Sequence, residues 1–157
     1  MHPDPAVLFV CLGNICRSPL AEAAFRAEAE RQGLQAIVDS AGMGGWHAGE
    51  PPDPRAQTVA RAHGVEIGHL RARQVTAADF HQFSHVIALD GSNLRDLRRL
   101  RPGQARASLS LLLDHVPGRG GEDVADPYYG SAEGFEVTWA EVRAGAAGLV
   151  RALLSPA

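Results

Sequence analysis

Cys11 and Arg17 stand six positions apart in the run V-L-F-V-C-L-G-N-I-C-R-S-P, from Val7 to Pro19, and their side chains suit one chemistry together. A thiolate is a strong nucleophile, and a guanidinium is a planar fork that grips two oxygens of an anion at once. Four apolar strand-forming residues lead into Cys11. Ser18 and Pro19 after the arginine read as a helix N-cap and a first helical position. The segment therefore predicts a strand, a tight loop and a helix N-terminus. The first amides of a helix are unpaired and make a ready anion site. Gly13 and Asn14 are residue types that tolerate the left-handed angles such a loop needs to turn its amides inward. A nest of N–H groups suits a phosphate and stabilises a thiolate at its centre. The plainer reading has Cys11 as a small buried residue at a strand end and Arg17 as a solvated helix charge.

Cleaving a phosphate monoester also requires a proton for the leaving group. Asp126, in Asp126-Pro-Tyr-Tyr-Gly130, is the candidate. Asp-Pro alone is a turn signal, but Tyr128 and Tyr129 directly after it suggest a wall against which an aromatic ring packs. An aryl oxide with a pKa of about 10 is well served by a nearby carboxylic acid. Trp46, in the glycine- and proline-rich stretch from Gly42 to Pro54, either anchors a long connection or touches substrate. Ser18 has two open duties: capping the helix, or hydrogen-bonding to the Cys11 sulfur so that it departs more easily from phosphorus.

The elements that must position these groups alternate along the chain. Val7–Val10, Ile37–Val38 running on to Gly42, Val86–Leu89 and Ala107–Leu112 read as strands. Pro19–Gln32, a segment ending near Gly64, Ser92–Leu100 and a final helix read as helices. In the last, Phe135, Trp139, Val142, Ala146, Leu149 and Leu153 recur at spacings of three and four. This alternation predicts an α/β domain with a parallel sheet, whose ligands bind beyond the carboxyl ends of the strands. Cys11, Ser40 and Asp90 all lie at such ends. Periodicity gives the class and leaves the strand order open.

The likeness of the whole chain is specific. Cys11-Leu-Gly-Asn-Ile-Cys-Arg-Ser-Pro19, Asp39-Ser-Ala-Gly42, Pro51-Pro-Asp-Pro-Arg55, His69, Asp79-Phe80, Ser92-Asn-Leu-Arg-Asp-Leu97 and Asp126-Pro-Tyr-Tyr-Gly130 resemble the low-molecular-weight protein tyrosine phosphatase family. The resemblance implies one domain over residues 1–157, with a four-stranded parallel sheet flanked by helices on both faces. It implies hydrolysis of phosphotyrosine and aryl phosphates through a phosphocysteine, with no cofactor. In that reading Cys11, Arg17 and Asp126 are catalytic, and Leu12, Gly13, Asn14, Ile15, Cys16, Arg17 and Ser18 form the phosphate loop. Asn14, Ser18, Ser40 and His69 become a supporting hydrogen-bond network, and Trp46, Tyr128 and Tyr129 the sides of the substrate cleft. From the residues themselves, Cys16, five positions from Cys11 in the same loop, is expected to trap an oxidised Cys11 as a disulfide, against the plainer reading of filler at a tight turn.

Other activities weigh against this reading on particular residues. An arsenate reductase on the same fold would relay a disulfide through a further downstream cysteine, and the chain has only two cysteines, both in one loop. A protein-arginine phosphatase would carry threonine where Ile15 stands. A phosphocarrier or noncatalytic phosphate-binding module would need neither Arg17 nor a downstream acid. The net charge of −3 argues against nucleic acid as a partner, although all 15 basic residues are arginine. The seven histidines lack ligand-type spacing, so no metal is expected. No apolar run approaches the roughly 18 residues that span a bilayer, and no secretory signal precedes the first strand. A reduced, cytoplasmic setting is the expectation. The partner expected is a phosphotyrosine-bearing protein, with no membrane partner.

Overall fold

Strand β1 (Ala6–Cys11) is apolar and buried along its whole length because it runs through the middle of the sheet. The computed structural model describes residues 4–155, so the ends of the expected domain, residues 1–3 and 156–157, lie outside the described residues. On either side of β1 run β2 (Ile37–Gly42) and β3 (His85–Ala88), with β4 (Ser108–Leu111) beyond β3, all parallel in the order β2-β1-β3-β4. Side chains alternate across a strand. Val7 and Phe9 accordingly join a core with helices α1 (Arg17–Gln32), α2 (Pro54–Ala62) and α5 (Ala132–Leu154). Leu8 and Val10 face the other way, toward Phe80 of the one-turn helix α3 (Asp79–Gln82) and Leu97 of α4 (Gly91–Leu100). The expected four-stranded parallel sheet with helices on both faces is what the chain forms.

The strand order decides where a ligand can sit. From β1 the chain turns to one side to make β2, and the next strand, β3, lies on the other side. The loops leaving the carboxyl ends of β1 and β3 therefore diverge and open a crevice between them. Cys11 ends β1, and Asp90 follows β3 by two residues.

Two expectations are corrected at the start of α1. The helix begins at Arg17, with Cys16 in the cap position and no side-chain cap, so Ser18 is not the N-cap and Pro19 is the third helical residue. Proline is tolerated there because the first-turn amides have no partner within the helix. The Ser18 hydroxyl is engaged elsewhere. The C-terminal stop at Gly33, in the left-handed conformation, lies where the sequence puts it. The one-turn α3 was not foreseen, since four residues carry no readable period. No helix among the described residues is long and apolar enough to cross a membrane.

Candidate active site

The loop from Cys11 to Ser18 curls around the Cys11 sulfur. Asn14 has φ near 60°, and its N–H donates to Cys11 Sγ at 3.3 Å. Its side-chain amide is used completely. Oδ1 accepts from the Arg73 N–H at 3.0 Å, which fixes the orientation of the amide, and Nδ2 donates to Ser18 Oγ at 2.8 Å and to Ser40 Oγ at 3.0 Å. The Ser18 oxygen thus already accepts a hydrogen bond, which leaves its O–H to donate to Cys11 Sγ, 3.0 Å away, with the Ala41 carbonyl a longer alternative at 3.5 Å. By the same logic Ser40 donates to Glu22 Oε1 at 2.7 Å. Polarity runs outward from the Asn14 amide nitrogen along two branches: through Ser40 toward the buried Glu22 carboxylate, and through Ser18 toward the sulfur. A donor aimed at sulfur stabilises its thiolate.

The loop is also pressed from β2. A Cβ on Gly42 would lie 3.0 Å from the Leu12 carbonyl oxygen and from the Gly13 carbonyl carbon, so a side chain there would press on the backbone of the loop. Just beyond it, the Met43 and Gly44 amides donate to the carbonyls of Cys11 and Leu12 at 2.9 and 3.0 Å.

Arg17 is 4% exposed and bound on three sides. One terminal nitrogen donates to Asp90 Oδ2 at 2.8 Å and to the Val124 carbonyl at 3.1 Å, and the other lies 3.5 Å from Asp126 Oδ2. Burial works against its charge, but the neighbouring Cys11, the Asp90 hydrogen bond and Asp126 more than offset that, and its pKa is raised above the usual arginine value. Asp126 is far more open, with 45% of its side chain exposed, and its Oδ1 accepts the Tyr128 N–H at 3.1 Å. Helix α5 holds the segment from behind: Thr138 Oγ1 donates to the Ala125 carbonyl, and Glu141 accepts the Ala125 N–H.

These groups surround a cleft of about 300 Å³. Its floor is the loop from Cys11 to Arg17, with Trp46 and His47 on one side and Asp126, Tyr128 and Tyr129 on the other. Tyr128 and Tyr129 meet edge to face with ring centroids 4.9 Å apart, and Tyr129 and Trp46 are largely exposed at the rim. Such a space has a thiol and a guanidinium at its bottom and aromatic sides, groups whose chemistry suits a flat ring bearing a phosphate.

The structure brings together Cys11, Leu12, Gly13, Ile15, Cys16, Arg17, Trp46, Asp126, Tyr128 and Tyr129 around that cleft, and Asn14, Ser18 and Ser40 in the network beneath it. His69 is the exception. It is exposed, lines a separate groove with Glu22 and Arg26, and makes no hydrogen bond to the loop among the described residues. The far end of the network is Glu22 instead, one helical turn along α1 from Ser18. Sequence reading missed Glu22, and it placed Asp90 at the ligand-binding end of a strand without giving it a role. Asp90 carries a recognisable signal, an Asp-Gly-Ser-Asn helix start, and its Oδ1 accepts the Asn93 N–H at the start of α4. Glu22 carries none, because a glutamate in a helix is ordinarily a solvated charge. Cys11 and Cys16 are both free thiols, and burial, followed by the nearby Asp53, Cys11 and Asp126, pushes the Cys16 pKa far up.

Comparison with known proteins gives the same picture. Residues 6–155 match the family described as low molecular weight phosphotyrosine protein phosphatase. A low molecular weight protein-tyrosine-phosphatase of Streptomyces coelicolor is 48% identical over 152 residues, which cover 94% of this chain and 92% of that protein. The crystal structure of YfkJ from Bacillus subtilis superposes with a TM-score of 0.88 at 40% identity, covering 96% of this chain and 95% of the other. A Drosophila arginine phosphatase superposes with a TM-score of 0.90 at 30% identity, covering 96% and 99%.

Proposed function

The chain belongs to the low molecular weight phosphotyrosine protein phosphatase family, and we propose that it hydrolyses phosphotyrosine on proteins, and simple aryl phosphates, through a phosphocysteine. The Cys11 thiolate attacks phosphorus. As the S–P bond forms, the bond from phosphorus to the aryl oxygen breaks, and protonated Asp126 passes its proton to that oxygen. The resulting Asp126 carboxylate takes a proton from water, which attacks the phosphocysteine. Phosphate leaves and the Cys11 thiolate returns, steadied by the Ser18 hydroxyl. Throughout, Arg17 and the loop amides hold the equatorial oxygens, whose charge redistributes in the transition state.

One observation carries this reading: Arg17 and Asp126, 109 residues apart in sequence, meet above the Cys11 loop in a cleft with aromatic sides. The apolar Ile15 in the same cleft supports an aryl ester, since a phosphoguanidinium would prefer a polar neighbour. Turnover of p-nitrophenyl phosphate and of a phosphotyrosine peptide tests the proposal. An enzyme releases many equivalents of product and, after acid quenching, carries phosphate on Cys11. A carrier stops at one equivalent, and that result would overturn the reading. Phosphoarginine hydrolysed faster than phosphotyrosine would replace it with the sister activity.

A further inference from the structure

Arg55 has no part in the chemistry above, yet it joins the two halves of the site. It stands second in α2, directly after Asp53 and Pro54. Its guanidinium forms a fork with Asp53, Nε to Oδ1 at 3.1 Å and one terminal nitrogen to Oδ2 at 3.0 Å. The same terminal nitrogen donates to the Tyr128 carbonyl at 2.9 Å, and the other donates to the Gly130 carbonyl at 3.2 Å. Its carbon centre lies 4.8 Å from the Phe135 ring centroid and 5.8 Å from that of Tyr128. Asp53 faces the opposite way as well: its backbone N–H donates to the carbonyl of Ile15 in the phosphate loop at 2.8 Å.

A continuous bridge therefore runs from Ile15 through Asp53 and Arg55 to Tyr128 and Gly130. It reaches Asp126 in one more step, because the Tyr128 amide donates to Asp126 Oδ1. The Tyr128 residue is held at both ends, its N–H by Asp126 and its carbonyl by Arg55. The Asp126 segment needs such a tie. It is exposed at its tip, and its proton donor lies on the solvent side of Arg17. Hydrogen bonds from α5 fix only its entry, at Ala125. A single planar cation with five donors can hold a carboxylate and two carbonyls at once, which an ammonium cannot.

We infer that Arg55 is a positioning residue, which sets the distance between the proton donor Asp126 and the nucleophile by tying the Asp126 segment to the phosphate loop. This rests on the general-acid reading of Asp126 and adds the device that holds the acid in register. A plain surface ion pair between Asp53 and Arg55 would steady α2 and leave catalysis alone.

The test compares kcat/KM for phenyl, p-nitrophenyl and 2,4-dinitrophenyl phosphate in wild type, Arg55→Met, Arg55→Lys, Asp126→Asn and Arg55→Met/Asp126→Asn. Methionine keeps the apolar contact with Phe135 and removes the fork. Lysine keeps the charge and serves as the second variant if methionine costs too much stability. For both, kcat/KM should fall about 10- to 100-fold on phenyl phosphate, the scale of an ångström-sized misplacement. It should fall little on dinitrophenyl phosphate, whose leaving group needs no proton. Inhibition by inorganic phosphate should stay within about twofold of wild type, because the phosphate loop is untouched. The double variant should be no slower than Asp126→Asn alone, since the two residues act through one proton. Equal rates for wild type and both Arg55 variants, an equal loss on all three substrates, or additive losses in the double variant would overturn the proposal. If Asp126→Asn itself slows all three substrates alike, the general-acid reading fails and this inference fails with it.

Discussion

Asp90 serves Arg17 and helix α4 with one carboxylate: Oδ2 accepts from the guanidinium at 2.8 Å, and Oδ1 accepts the Asn93 N–H at 2.7 Å. The arginine is aimed from behind by the same group that starts the helix after β3. Asp90→Ala should reduce kcat/KM by roughly 10- to 100-fold, equally for good and poor leaving groups, because the loosened arginine meets every phosphate. It should also cost about 2 kcal/mol of stability in a urea melt, from the lost cap and charged hydrogen bond. Asp90→Asn keeps the cap, so it should recover more of the stability than of the rate.

Ser18 donates to sulfur and accepts from Asn14. A hydrogen bond to a charged atom contributes about 1.5–3 kcal/mol, so Ser18→Ala should slow breakdown of the phosphocysteine by roughly 10- to 100-fold. Formation should slow less, since there the sulfur gives up charge rather than receiving it. Rapid mixing with p-nitrophenyl phosphate should therefore show a burst of one equivalent of nitrophenol larger than that of wild type. A uniform slowing without a burst would make Ser18 a structural support only.

Cys16 is buried beside Cys11 with its pKa pushed far up. Peroxide oxidises the Cys11 thiolate to a sulfenic acid, and attack by Cys16 sulfur would expel water and form a disulfide. The thiolate of Cys16 is scarce, so closure should quicken about tenfold per pH unit between pH 6 and 9. After peroxide and then a thiol reductant, wild type should regain most of its activity, and Cys16→Ser should regain much less, with sulfinic acid at Cys11 by mass spectrometry. Equal recovery would leave Cys16 as packing.

His85 opens β3 and His115 lies in the turn after β4; burial lowers the pKa of each, and at His115 the neighbouring Asp114 opposes the shift while His85 adds to it. Their neutral forms are the ones the fold accepts. Stability from this source is complete above the unfolded value of about 6.5 and is lost as pH falls through the depressed folded values. The unfolding free energy from urea melts should drop with acid below pH 6.5, with a slope of at most about 1.4 kcal/mol per pH unit for each histidine. His115→Gln retains a partner for the Ser110 hydroxyl, 3.0 Å from the ring, and should flatten that slope without altering activity at neutral pH.

The Cys11 loop was legible because its parts are contiguous: strand, glycine-asparagine turn, arginine and helix start follow each other within about a dozen residues. Asp126 was legible because two tyrosines in a turn need a reason. What sequence could not show is who holds whom across the fold. Asp90 is 73 residues from Arg17, and Arg55 is 73 residues from Tyr128, distances over which no local pattern persists. The misplaced helix start has a physical cause: Ser18 looks like a cap by type, but Asn14 and the sulfur claim its hydroxyl first. His69 failed for a related reason, since its type suits a polar network while its exposed loop position leaves that end of the network to Glu22.

The order in which the cleft is assembled follows from where its parts fall along the chain. The thiol loop emerges from the ribosome early, Asp90 midway, and Asp126 with its α5 anchors Thr138 and Glu141 last. At 5–20 residues per second, the 109 residues between Arg17 and Asp126 take roughly 5–20 s to synthesise. For that interval a nascent chain holds Cys11 and Arg17 without Asp126. A ribosome stalled before residue 126 would therefore display a thiol that chemical reagents can label, without the carboxylic acid proposed to protonate a poor leaving group.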